Sequence, residues 1–556
     1  CERGELAHRP CADVVLCLGI RAHRAGHKAE GHHCWFRVLD TQGAGDNVAG
    51  RCALQGLCLP DRDEVHGSAP GLQDKGGARG VREPRAGNQQ DVGRHIQRGP
   101  FRSDEAAHDK VQKKKGMMKT VINNATIVNN GESHVGSLLV SDGRIERIVL
   151  GGEIESQDGC RIVDATGMYL LPGVIDGHVH FREPGMTAKA DMHTESMAAA
   201  AGGVTSVLDM PNVVPQTTTV QNWRERMEMA KGRMHVNYAF FLGATNNNLD
   251  EILAMPSEQY PGVKLFMGSS TGNMLVDRRE MLEGLFARSP KLIMSHCEDT
   301  ARINANMASA REKYGDDPDI THHAEIRDGE ACWQSSALAA ELAKASGARL
   351  HIAHISTERE LSLLGGNITG EACVAHLLYT DQDYARLRGR IKCNPSIKSD
   401  GDRQALRRAL TDGRITCIGT DHAPHLLSEK QGGACKAVSG MPMVQFSLVS
   451  MLEMVDEGVL SIERLVQLMC HNPADLFGIK ERGYIREGMM ADLVLVRREE
   501  SPYTITSADV LSKCGWSPRE GDAMHWRVMS TWVNGNLVWD GRKVNEDVHG
   551  EPLAFA

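Results

Sequence analysis

The sequence predicts an α/β protein, a (β/α)8 TIM-like barrel carrying a small composite β-sandwich domain formed by its N- and C-terminal flanks. Three observations predict it. About eight short apolar segments alternate with helical ones through the middle of the chain, the count and order of a parallel barrel. Hairpin-like segments stand at both ends of that region and invite pairing into one β domain. Histidines, a lysine and an aspartate close several of the apolar segments, where barrels of this kind carry their active sites.

With 556 residues, 41% hydrophobic, 24% charged and a formal net charge of -9, the chain has the make-up of a globular enzyme. It is too acidic for nucleic acid to be its main partner, because phosphate binding needs a concentrated excess of Lys and Arg. No apolar run reaches the roughly 20 residues that span a bilayer, so no membrane partner is expected. The 15 Cys are scattered singly, unlike a disulfide framework, and reduced thiols in a cytoplasmic protein are the simpler account.

The texture changes at Met117-Met118, and every Met lies at or after that pair. Upstream, the chain is rich in Gly, Arg and His and shows no sustained period of 2 or 3.6. Such a segment buries too little apolar surface to offset its ordering entropy. Residues 1–117 are therefore expected to be disordered, or an upstream extension translated from a misplaced gene start. Within them, Val14–Ile20 lacks the basic start and cleavage site of a signal peptide. His32-His33-Cys34 has no second ligand pair at zinc spacing, and Lys113–Lys115 reads as a solvated charge run.

Residues 118–171 are expected to form the first part of the β domain. Thr120–Val128 and Gly136–Val149 alternate apolar with polar residues, the latter around an Asp142-Gly143 turn. The barrel is expected over 172–480. Its strands are Val174–His180, Val204–Met210, Val236–Leu242, Gly262–Phe266, Leu292–His296, Leu350–His354, Glu371–His376 and Ile415–Asp421. Helices fill the gaps, among them Asp191–Ala201 and Glu325–Ala345, the latter with apolar residues at three- and four-residue steps. Residues 481–556 return to hairpin grammar in Ala491–Val496 and Thr531–Trp539, around Asn534-Gly535, as the second part of the β domain.

The first barrel strand ends in Asp176-Gly-His-Val-His180. Residues two apart on a strand point to one side, so His178 and His180 can reach one ion. Four further strands close on Lys264, His296, His354 and Asp421. Four histidines, an aspartate and a buried lysine converging on one mouth need a metal to compensate them.

The run His178-Val-His-Phe-Arg-Glu-Pro-Gly185, with Asp209-Met-Pro-Asn212, Lys392-Cys-Asn-Pro-Ser-Ile-Lys398 and Asp421-His-Ala-Pro-His425, resembles the dihydroorotases of the cyclic amidohydrolase superfamily. The resemblance covers essentially everything after Met118. It implies two Zn2+ per subunit, the first held by His178, His180 and Asp421 and the second by His296 and His354, bridged by an N6-carboxylated Lys264 and a hydroxide. An ammonium cannot ligate a cation, whereas a carbamate is an anionic oxygen ligand; the alternative for Lys264 is a salt-bridged or snorkelling lysine. Asp421 is implied as the catalytic proton shuttle. Arg182 is implied to bind a substrate carboxylate, with Asn212, Asn394 and His425 as further contacts. The alternative for Arg182 is an ion pair with Glu183 or a neighbouring carboxylate.

The activity so implied is reversible hydrolysis of the small molecule dihydroorotate to N-carbamoyl-L-aspartate, the third step of de novo pyrimidine biosynthesis, by a cytoplasmic homo-oligomer, dimer or tetramer. Allantoinase and dihydropyrimidinase (hydantoinase) are the rival activities. In allantoinases, as the resemblance goes, the Arg182 position is usually Asn and the Asn394 position usually Ala. A non-catalytic scaffold would lack metal ligands, and all six are present. Two departures stand out: His376 lacks the second His of the pair that many relatives carry, and Ser439-Gly-Met-Pro442 replaces their Pro-Gly turn. The loop Met267–Gly272, rich in small residues, reads as either a mobile cover or a flexible turn.

Overall fold

Strands covered on both faces are buried along their whole length rather than on alternate residues, and the strands in the middle of this chain are of that kind. A computed structural model describes residues 119–155, 159–268 and 274–556. The expectations for residues 1–117, and for the loop beyond Gly268, fall outside that set.

Two all-parallel sheets form the centre. Three strands, Val174–Val179, Val204–Asp209 and Asn237–Phe240, make one; Leu242–Gly243, Val263–Phe266, Ile293–His296, Leu350–Ile352, Ile368–Cys373 and Cys417–Gly419 make the other in that order. The third segment is interrupted at Phe241 and contributes to both sheets. At the other seam Val179 bridges His422 in parallel fashion, and His180 N donates to His422 O at 2.7 Å. Buried Asp176 reinforces that seam by accepting from Thr420 Oγ1 at 2.6 Å. This arrangement, with helices between successive strands, is consistent with an α/β TIM-like barrel.

Several helices start where a side chain caps them. Asp191 accepts from Thr194 N at 2.9 Å to open Met192–Ala201, as N-cap carboxylates do. The expected helix Glu325–Ala345 is divided. His323–Ile326 ends before Arg327, and Asp328 accepts from Ala331 N at 2.9 Å to start Gly329–Ser346. Apolar periodicity runs through both pieces, while the local Asp cap decides the break. The expected strand Glu371–His376 is likewise shifted: extended backbone runs over Ile368–Cys373, and Val374–Leu378 is helical.

The two flanks share one sheet of eight strands. Its order is Asn536–Trp539, Ala523–Val533, Leu493–Thr504, Tyr169–Pro172, Thr120–Asn129, Glu132–Ser141 and Arg144–Leu150, with Arg161–Asp164 also pairing Thr120–Asn129. The junction is antiparallel pairing of Tyr169–Pro172 with Leu493–Val496. Both expected turns form, with Asp142 and Gly143 at φ 50° and 78°, and Asn534 and Gly535 at φ 50° and 73°; positive φ at both central residues suits the twist of a hairpin. The last residues leave this sheet. Leu553 N donates to Tyr238 O at 2.9 Å, and Leu553 and Phe555 are buried with Ile175, Leu208, Phe241 and Phe477 beneath the parallel strands.

The nine Cys among the described residues are free thiols. No helix among the described residues is long and apolar enough to cross a membrane.

Candidate metal centre and substrate cavity

Because parallel strands all point one way, their C-terminal residues gather at one mouth. A single cavity there is lined by His178, His180, Arg182, Asn212, Lys264, Phe266, His296, His354, Asn394, Asp421, Ala423, Ser439 and Gly440. Nine of the ten expected site residues are thus brought together. The tenth, His425, stands directly behind Arg182, whose Nη2 lies 2.9 Å from His425 Nε2.

Hydrogen bonds on the far side of two rings define their tautomers. His178 Nδ1 donates to Glu371 Oε1 at 2.8 Å, and His180 Nδ1 donates to Asn212 Oδ1 at 2.8 Å. Each Nε2 then carries a lone pair, and these face Asp421 Oδ1 at 3.4 Å and 3.0 Å. Protonation does not resolve the contact, because burial pushes both histidines below their ordinary range. Burial alone would raise Asp421, and only positive charge at the rings of His178, His180 and His354 lowers it, so neutral rings leave this carboxylate in need of another cation. Lone pairs gathered around a carboxylate oxygen fit a cation.

Lys264 is wholly buried, with Nζ 3.4 Å from His178 Nε2. Burial lowers its ammonium to about 8. Among the described residues no carboxylate lies within ion-pair distance of it, so the salt-bridge alternative has no partner. His296 Nδ1 and His354 Nε2 stand 3.0 Å apart, and the buried His354 Nδ1 has no hydrogen-bond partner. Glu298, which pairs with Arg327, lies 3.0 Å from His296 Nε2. Four clusters of His, Cys, Asp and Glu have ligand-like spacing among the described residues, but only His178, His180 and Asp421 all line the cavity. The cluster Glu453, Asp456 and His525 is explained by its own hydrogen bonds.

The cavity lining also carries a guanidinium. Arg182 is buried and donates through Nε to Pro424 O at 3.1 Å. It makes no ion pair with Glu183, whose carboxylate is taken by Arg233 at 2.9 and 3.1 Å and by Met192 N at 2.9 Å. Asn394 Oδ1 accepts from Ser439 Oγ at 3.0 Å, which turns its amide nitrogen to other partners. Arg182, His354 and Asp421 all sit at positive φ, 65°, 38° and 48°. Backbone of this kind costs roughly 1–3 kcal/mol per residue and gathers at functional sites.

Sequence reading missed Glu371, Glu298, Phe266 and Ala423. Glu371 had a signal: it is the lone charged residue of the buried strand Ile368–Cys373. Glu298 had none beyond following His296 by two residues.

Residues 169–538 match the model described as the amidohydrolase family. A dihydroorotase of Halobacterium salinarum is 35% identical over 416 residues, 73% of this chain and 96% of its own length. An allantoinase of Bacillus velezensis is 30% identical over 437 residues, 76% of this chain and 95% of its own length. Among solved structures, the L-hydantoinase (dihydropyrimidinase) of Arthrobacter aurescens superimposes with a TM-score of 0.74 at 26% identity, covering 79% of this chain and 100% of that one.

Proposed function

The chain belongs to the amidohydrolase family and is a cyclic amidohydrolase of the dihydroorotase type; from that premise we propose that it is a zinc-dependent dihydroorotase, which opens the ring of dihydroorotate to N-carbamoyl-L-aspartate and closes it again. One observation carries this choice over allantoinase and hydantoinase. Arg182 is a buried guanidinium on the cavity wall with no carboxylate partner among the described residues. A buried charge needs compensation, and a substrate carboxylate supplies it as a planar, bidentate acceptor. Dihydroorotate carries that group, whereas dihydrouracil and allantoin do not.

His178, His180 and Asp421 would hold one zinc ion, His296 and His354 a second, with Lys264 as the carbamate between them. Zinc there would polarise the scissile carbonyl and ease ionisation of water. The protein's own groups do the rest. Arg182 fixes the carboxylate, Asn212 and Asn394 hold the remaining polar edge, and His425 is a further donor beside Arg182, so that water and carbonyl meet in one orientation. Asp421, ionised at working pH, accepts the proton of the attacking water as the C–O bond forms. It returns that proton to the ring nitrogen as the C–N bond breaks.

The same reading takes the parallel strands as a closed barrel of eight over 172–480. It takes the flank sheet, from 118–171 and 481–556, as a small composite β-sandwich. It also takes the enzyme as a cytoplasmic homo-oligomer acting on a small molecule. The experiment is the reaction itself: the zinc-loaded full chain should convert dihydroorotate to N-carbamoyl-L-aspartate, lose this on chelation and regain it with zinc. Turnover that survives complete metal removal overturns the zinc assignment, and no turnover of dihydroorotate overturns the substrate.

A further inference from the structure

At the end of the cavity that Arg182 closes, the hydrogen bonds conflict. Arg182 Nη2 lies 2.9 Å from His425 Nε2, and Lys189 Nζ lies 3.0 Å from His425 Nδ1. Guanidinium and ammonium groups only donate, and a neutral imidazole has a single accepting nitrogen. One of the two contacts therefore sets a donor against a donor. Protonating the ring would make both so, and burial together with Arg182 and Lys189 drives His425 well below the ordinary histidine range.

The two cations are not equally free to yield. Lys189 is held in place by Glu429, whose Oε1 lies 2.8 Å from its Nζ; Glu429 Oε2 accepts from Leu426 N at 2.9 Å and stands 3.5 Å from His425 Nδ1, farther from that nitrogen than the lysine at 3.0 Å. The anchor of Lys189 is thus tied to the backbone next to His425. Arg182 is fixed through Nε on Pro424 O, and the residue lines the cavity. Nη2 can exchange the imidazole for a better acceptor, and a carboxylate is one.

We propose that Lys189 is a positioning residue acting through His425: by donating to Nδ1 it keeps the proton on Nε2, so that His425 and Arg182 present two converging donors to one substrate carboxylate. This rests on the reading that the substrate carries a carboxylate. Lys189 does not itself line the cavity. Its effect is to choose a tautomer, which is a role that charge and hydrogen-bond direction decide rather than bulk.

Calorimetric titration of the full chain with orotate, and with uracil as the same ring lacking the carboxylate, tests it. K189R should bind orotate close to wild type. K189M should bind about tenfold more weakly, the scale of one charge-assisted hydrogen bond. K189E should be weaker still, because a glutamate accepts from Nδ1 and turns the accepting nitrogen toward the substrate. Uracil binding should stay constant across the set, and KM for dihydroorotate should rise while kcat holds. Loss of both probes together would assign Lys189 a merely structural role, and equal orotate affinity in wild type, K189M and K189E would also overturn the proposal. Wild type that binds uracil as tightly as orotate would instead overturn the carboxylate reading itself. Should K189M fail to fold, E429Q, which loosens the lysine without removing it, should show a smaller loss for orotate alone; no loss there overturns the proposal.

Discussion

Glu371 Oε1 accepts the Nδ1 proton of His178 at 2.8 Å, and both side chains are buried. The contact spans the barrel from the seventh strand to the first and leaves His178 Nε2 as the only nitrogen of that ring able to bind a cation. Carboxylates in this position raise ligand basicity and fix the ring, and their loss costs roughly 10–100-fold in metal affinity or activity. Glu371→Gln should therefore weaken zinc binding by about that factor. Competition with a chromophoric chelator measures it, and an unchanged affinity would remove Glu371 from the metal site.

Lys264 is expected to be indispensable as a carbamate rather than as an amine. Lys264→Ala should lose activity and regain part of it with added short carboxylic acids, whose oxygens replace the bridging ligand. Carbamate formation needs the neutral amine, and burial lowers the Lys264 ammonium to about 8. The neutral fraction is then about a tenth at pH 7 and about half at pH 8. At fixed dissolved CO2, reactivation of stripped, decarboxylated enzyme should accelerate about fivefold over that unit and level off above it. A rate still climbing tenfold per unit beyond pH 9 would mean an unperturbed lysine.

Arg182→Gln removes the charge and keeps an amide. It should raise KM for dihydroorotate by roughly 10–100-fold, the scale of charge-assisted hydrogen bonds to a carboxylate. Hydrolysis of a cyclic amide without that group should be little affected. Steady-state kinetics on both substrates check this, and a loss of kcat alone would place Arg182 in the chemical step instead.

Lys430 clamps the loop that supplies Ser439 and Gly440 to the cavity. Its Nζ donates to the carbonyls of Lys392, Val438 and Gly440 at 3.1, 2.5 and 2.5 Å, and burial pushes its ammonium down to about 7. Lys430→Met leaves those carbonyls unsatisfied and should cost about 1–3 kcal/mol of stability. Between pH 7 and 10.5 the unfolded lysine binds more protons than the folded one, so the wild type gains stability as pH rises through that window. The variant lacks this gain, and the gap between the two denaturation curves should widen from pH 7 to pH 9. A gap that narrows would contradict the assignment.

Much of this was legible because strand ends and hairpin turns are local. His178 and His180 announce a shared face by their spacing, and Asp142-Gly143 and Asn534-Gly535 announce their turns by needing positive φ. What was not legible depends on partners far along the chain. Glu371 meets His178 across 193 positions, and Lys189 meets His425 across 236. Asp328 could be read as apolar-helix interior until its carboxylate was seen capping Ala331. The final residues were expected to remain in the β domain, yet Phe555 is buried below the barrel strands, because two isolated apolar side chains carry no period to reveal where they pack.

The most direct test of the central claim is the ratio of kcat/KM for dihydroorotate to that for allantoin and for dihydrouracil, measured on the zinc-loaded full chain. A buried Arg182 without a carboxylate partner among the described residues predicts a preference for dihydroorotate of at least about 100-fold over either. Equal or faster ring opening of allantoin or dihydrouracil would contradict it.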